Sequence, residues 1–137
     1  MKKLITAVLL LLSIHSFSQE SSTYNVFKTQ LFKSTPFVKT WTPVSDPSSV
    51  DFKIIVEGSH LIIDAKSMSS FTIYNSSQED VKGEGYTGKR FRALEHVKNQ
   101  SCYISFINYT GLNFISVDVA YLNGDTQYLL VYYILKN

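Results

Sequence analysis

The chain has 137 residues, of which 45% are hydrophobic and 18% charged, with a formal net charge of +2. That excess comes from Lys2 and Lys3: beyond residue 18 the basic count falls from 13 to 11 and meets 11 acidic residues, leaving a neutral remainder. A neutral chain offers no basic footprint for nucleic acid, and the remaining residues, about 119, suffice for one domain with its own core but not for two.

Met1 to Ser18 has the three parts of a secretory signal: basic Lys2 and Lys3, an apolar run from Leu4 to Ile14, and small residues at Ser16 and Ser18. Cleavage is expected after Ser18, giving a secreted or periplasmic protein with one domain over residues 19–137. The apolar run is well short of the roughly 20 residues that cross a bilayer, so no membrane span is expected once the signal is removed. No cysteine follows the small residues to carry a lipid, and the short lysine-led signal is of the bacterial type.

Thr23 to Trp41 suits a helix by the spacing of Tyr24, Phe27 and Leu31, but its β-branched and aromatic content favours a strand. Pro36 interrupts it; Phe37, Val38 and Trp41 continue extended to Pro43, and Ser45 to Ser49, with Pro47, reads as a loop. From Asp51 the alternation sharpens. Phe52, Ile54 and Val56 share one face, Gly58-Ser59 turns the chain, and His60 to Ala65 returns as the second arm of a hairpin. Phe71 to Tyr74 forms another strand. Asn75 to Gly88 carries three glycines and a cluster of charges without periodicity, so it is expected to be a mobile loop in which Gly83 accepts alanine at less than about 0.5 kcal/mol. Phe91, Ala93, Glu95 and Val97 alternate again, and Lys98 to Ser101 turns.

Cys102 to Leu135 reads as three strands around a strong turn, Asn123-Gly124, whose residues readily take positive φ. Ile115, Val117, Val119 and Tyr121 point to one face and Ser116, Asp118 and Ala120 to the other. A two-residue loop sets Val119 against Tyr128, Val117 against Leu130 and Ile115 against Tyr132. A three-residue loop that includes Asp125 brings Leu129, Val131 and Tyr133 onto that face instead. Tyr128 to Leu135 is apolar on both sides, which marks a strand covered on both faces. The expected fold is all-β: an antiparallel meander of seven or eight strands forming a small barrel or a curled sandwich.

Phe27-Lys28-Thr29, Trp41, Cys102-Tyr103-Ile104, Val117 to Tyr121 and the closing Tyr128 to Tyr133 together resemble small exported bacterial all-β proteins. The resemblance covers most of the chain beyond the signal, rests mainly on core residue types, and implies a β fold without an activity. A lipocalin-like barrel is a looser likeness: Trp41 stands in an early strand, but Lys39 occupies the place of the glycine in the Gly-x-Trp signature.

The chemistry-bearing residues are few. Cys102 is the single cysteine, so no disulfide can form within the chain, and its alternation with Ile104 and Phe106 makes it an apolar strand residue. Outside the signal only His60 and His96 remain, neither at metal-ligand spacing from another histidine or cysteine, and no P-loop, Gly-x-Gly-x-x-Gly, HExxH or Gly-x-Ser-x-Gly motif occurs. No cofactor or metal is indicated. His60 and Asp64 share a strand face, read as solvent-facing. Asp118 interrupts an apolar strand; beside Ser116 and Gln127 it is expected to face solvent. Lys89, Arg90 and Arg92 form a basic cluster that Glu79, Asp80 and Glu84 offset. Three sequons, at Asn75, Asn99 and Asn108, fall in or near predicted turns. Aromatic residues make up 14% of the chain, enough for a recognition surface. Two functions of different class follow. One is a non-enzymatic binding or interaction module for a small molecule or protein, built on exposed Tyr, Phe or Trp41 and the 75–88 segment. The alternative is a hydrolase with a carboxylate-based site on Asp64, Asp118 or the histidines. Polar groups converging in one cavity favour the hydrolase, whereas a packed barrel with aromatics outside favours the binding module.

Overall fold

A computed structural model describes residues 21–35 and 38–136; the expected signal, Met1 to Ser18, lies outside them. The described chain is all-β, with nine antiparallel strands: β1 (Ser21–Thr35), β2 (Val38–Pro43), β3 (Ser48–Glu57), β4 (His60–Asp64), β5 (Ser69–Gly83), β6 (Tyr86–Glu95), β7 (Gln100–Tyr109), β8 (Phe114–Tyr121) and β9 (Gln127–Leu135). The meander of the sequence reading is present, with β2 the extra element. Extended residues after Pro36 fold back on β1 as a short strand, pairing Lys33 with Thr42 and Thr35 with Val38.

The sheet curls because β1 serves two neighbours. Its first part pairs with β3, from Ser21↔Glu57 to Thr29↔Ser48, and its later part with β9, from Val26↔Ile134 to Ser34↔Gln127. The register of both ladders shifts between Val26 and Lys28, a bulge that bends the strand. Through β1, strands β3 to β9 join into a ring of eight, with β2 beside it.

Period-two alternation sends one side chain set inward from each strand of the ring. Val26, Ile54, Val56, Leu61, Ile63, Phe71, Phe91, Ile104, Val117, Val119 and Ile134 are among the buried residues of this core, and each large apolar side chain so buried contributes about 1.5–3 kcal/mol. Phe91 and Phe106 meet edge to face, with ring centroids 6.0 Å apart. Cys102 belongs to the same core and is a free thiol.

Three expectations are corrected. The 75–88 segment is no loop: β5 runs to Gly83 and turns at Glu84-Gly85 into β6, pairing Asp80 with Lys89 and Lys82 with Thr87. Its alternation escapes notice because the register slips between Tyr74 and Glu79, which breaks the period. The Asn123-Gly124 turn is wider than a two-residue loop. Tyr121 pairs with Tyr128 and Val119 with Leu130, two residues away from the expected register although on the expected face. Only Gly124 has positive φ there, at 96°, while the Asn123 side chain reaches to the Ser101 carbonyl on β7 at 3.4 Å. Finally, Asn75 and Asn108 stand on strands, and only Asn99 occupies a turn, with φ 52°.

β9 is flanked by β8 and β1, and Val131 on its outer face is buried, as its two-sided apolarity required. Among the described residues there is no helix long and apolar enough to cross a membrane.

Candidate functional site

The core face does not end where the ring closes. β4 pairs with β5 only over Ser69–Thr72, whereas β6 stays paired with β5 as far as Gly83 and with β7 as far as Tyr109, so the β5–β6 hairpin runs on past β4. Two cross-strand rows continue the core face along this extension. One runs Lys82, Thr87, Asn108, Ile115 and Ile134; the other runs Asp80, Lys89, Phe106 and Val117. Between them opens a cavity of about 290 Å³.

Phe106 and Ile115 give this cavity a floor continuous with the core. At Gly88 the backbones of β6 and β7 approach so closely that a Cβ would lie 2.1 Å from the Phe106 carbonyl oxygen. At the rim Lys89 forms an ion pair with Asp80, and Lys82 and Thr87 are exposed. The unusual group is Asn108. It is 8% exposed, lines the cavity, and its side-chain oxygen is buried with no hydrogen-bond partner among the described residues. An apolar pocket with a few placed polar groups is the usual form of a small-molecule site, and barrel mouths are a common place for one.

The opposite, outer face of β7, β8 and β9 holds a second cluster. Phe114 lies 5.2 Å from Tyr133 and 5.4 Å from Tyr109 between ring centroids, with Phe27 6.3 Å from Phe114. Ser116 is fully buried beneath them, its hydroxyl 2.9 Å from that of Tyr109. Asp118 stands one pair further along, between Ser105 and Val131. The expectation of a solvated Asp118 is corrected: it faces away from the core, yet one carboxylate oxygen is buried without a partner. Burial pushes its carboxyl up to about 6, against a smaller lowering by a hydrogen bond from Ser116. Burial, then the Asp118 charge, pushes the Tyr109 hydroxyl up to about 12.

The remaining sequence candidates do not gather around Asp118. Asp64 is exposed on β4 opposite Lys53, and three strands separate β4 from the Asp118 strand. His60 and His96 both adjoin Thr72, His60 as its cross-strand partner and His96 through Nε2, 2.7 Å from the threonine hydroxyl. No group of three or more His, Cys, Asp or Glu among the described residues is placed to hold a metal ion. The basic cluster is offset as expected, Lys89 by Asp80 and Arg90 by Glu79 at 3.1 Å, and Arg90 also lies over the Tyr103 ring at 5.2 Å. Trp41 is 39% exposed, away from both clusters in the register. A second, more polar depression toward the other end of the ring is lined by Tyr74, Arg92, Tyr103 and Asn123.

Asn108 carried a signal that the sequence reading passed over. It continues the inward series Cys102, Ile104, Phe106 by two residues, which places an amide where the pattern calls for an apolar side chain. Comparison with family models, with curated proteins and with solved structures found no match to this chain.

Proposed function

We propose that this is an exported, non-enzymatic binding protein that takes up a small, largely apolar molecule at the end of the barrel. The observation that supports this is the cavity between β5–β6 and β7–β8, whose apolar floor extends the core and whose lining includes the nearly buried amide of Asn108. Asp118 on β8 is separated by three strands from His60 and Asp64 on β4, and this separation of the two carboxylates supports binding over hydrolysis, because acid–base chemistry requires such groups within hydrogen-bond reach of one bond. The aromatic cluster on the outer face is less suited to a partner, since its rings are half-buried against one another.

The test is fluorescence of 1-anilinonaphthalene-8-sulfonate with the parent protein and with Thr87→Trp, which places a bulky ring in the cavity from an exposed strand position. Enhancement in the parent and its loss in a Thr87→Trp variant of unchanged circular dichroism is the expected result. Enhancement that Thr87→Trp leaves intact would place the binding elsewhere and overturn the assignment. For export, mass spectrometry of secreted protein is expected to find Gln19 at the new terminus, and an intact Met1 there would refute it.

A further inference from the structure

We infer that the molecule held in this cavity is a small organic carboxylate, its acid group held toward the β5–β6 hairpin by the Asn108 amide N–H, Thr87 and Lys82, and its apolar body laid over Phe106 and Ile115. The inference rests on the binding reading above and adds the chemistry of the ligand.

The lining is divided along both cross-strand rows. Polar residues come first, Lys82, Thr87 and Asn108 in one row and Asp80 and Lys89 in the other, and apolar ones follow from Ile115 and Phe106 onward. A ligand lying across the strands therefore meets polar groups at one end and the apolar floor at the other. The polar end presents donors. Asn108 is 8% exposed and its side-chain oxygen is buried, so the amide nitrogen is the polar atom it offers to the cavity. Thr87 is the direct partner of Asn108 across β6 and β7, and Lys82 the partner of Thr87 across β5 and β6. With neighbouring strands about 4.8 Å apart, the four-carbon stem of Lys82 is long enough to bring its ammonium to the group that Thr87 and Asn108 hold.

Charge decides the head group. Asp80, the carboxylate of the lining, is paired with Lys89, whereas Lys82 takes part in neither of the two ion pairs formed among the described residues. One positive charge is thus left beside the amide N–H, and the two together select a negatively charged acceptor. A cation would meet Lys82 and the amide hydrogens, with Asp80 already engaged. Because Lys82 and Thr87 are exposed, an anion at this end keeps its contact with water, and only the apolar body is buried. The volume of about 290 Å³ is at the lower end of the roughly 300–1,000 Å³ that ligand pockets span, so a compact ring fits better than a long chain.

Three ligands with one body isolate the head group: 4-ethylbenzoate is an anion, 4-ethylbenzamide a neutral acceptor and 4-ethylbenzamidine a cation of the same planar shape. Isothermal titration of each into the folded chain near neutral pH is expected to show the benzoate binding about tenfold more tightly than the benzamide, the worth of one charge-assisted contact, with the benzamidine weakest. Lys82→Met, at an exposed strand position, is expected to remove the benzoate's advantage and leave the benzamide unchanged. Asn108→Leu is expected to weaken both, and Thr87→Trp to bind none of the three. If the benzoate is not the tightest ligand of the parent, or if Lys82→Met leaves its advantage intact, the carboxylate assignment is overturned; where Thr87→Trp still abolishes binding, the cavity itself stands. Should the parent bind none of the three, both the carboxylate and the cavity reading fall. The comparison of head groups on the parent and Lys82→Met does not depend on whether Asn108→Leu folds.

Discussion

The hydroxyls of Tyr109 and Ser116 lie 2.9 Å apart across β7 and β8, on the side of the sheet turned away from the core. Ser116 is fully buried there, although its strand neighbours Ile115 and Val117 already point into the barrel. A sheet outer face is thus dry over a small area, and Asp118 sits beside it with a carboxylate oxygen that no described residue satisfies.

This makes stability depend on pH in a direction opposite to that of an ion-paired carboxylate. The Asp118 carboxyl titrates near 3.8 when unperturbed and is pushed up to about 6 in the fold, chiefly by burial. Between these values the folded state holds a proton that the unfolded state has released, so stability falls as pH rises from about 4 to about 6 and is level on either side. With partial exposure to solvent, the loss is about 1–3 kcal/mol. Asp118→Asn keeps the shape and cannot titrate. Its urea midpoint is expected to exceed the parent's by an amount that grows from pH 4 to pH 6 and then stays constant. A difference independent of pH would show that Asp118 does not titrate in that window.

Cys102 has the reverse role of an inert group. It is 4% exposed, and burial, with a smaller contribution from the Glu95 charge, pushes its thiol up to about 12. Since only the thiolate reacts, alkylation by iodoacetamide at pH 8 is expected to be at least roughly a hundredfold slower in native protein than in denaturant. Rapid labelling of native protein would mean that β7 opens locally or that the thiol lies at the surface.

The fold was legible wherever inward and outward residues alternate without interruption. Ile54 and Val56, Phe91 and Ala93, and Ile115 to Tyr121 all fall on the face that their period assigns. It was illegible where geometry breaks the period. The bulge in β1 near Phe27 and the slip in β5 between Tyr74 and Glu79 each shift alternation by an amount no local pattern reveals. The second slip hid the hairpin that lines the cavity. Asp118 misled for a different reason: alternation correctly turned it away from the core, but its burial depends on side chains from neighbouring strands, which only the register brings together.

Gly88 provides a test of the cavity's floor. A Cβ there would lie 2.1 Å from the Phe106 carbonyl oxygen and 3.0 Å from Ile107 Cδ1. The first obstacle is backbone and cannot rotate away, so Gly88→Ala must push β6 and β7 apart. A loss of about 2–4 kcal/mol is expected in urea denaturation, in the upper range of overpacking effects. A parent-like midpoint would show that the strands do not approach this closely.

The turn at Gly124 separates backbone strain from side-chain crowding. Gly124 has φ 96°, and a Cβ there would meet nothing within 4 Å, so Gly124→Val is opposed only by the left-handed backbone that a β-branched residue rarely adopts. The expected loss is about 1–3 kcal/mol, against a total of about 5–15 kcal/mol for a domain of this kind. Gly83 presents the converse. Its backbone has no positive φ, but a Cβ would lie 2.3 Å from the Tyr86 ring. Gly83→Ala therefore has to displace that ring and is expected to lose about 1 kcal/mol, more than the near-neutral change that a loop position implies. Because Tyr86 is only half-buried at the hairpin end, the ring can swing out and limit the loss. Chemical denaturation should rank the midpoints parent, Gly83→Ala, Gly124→Val from highest to lowest. If Gly124→Val unfolds with the parent, the chain does not hold residue 124 in the left-handed conformation, and the wide β8–β9 connection must be drawn differently.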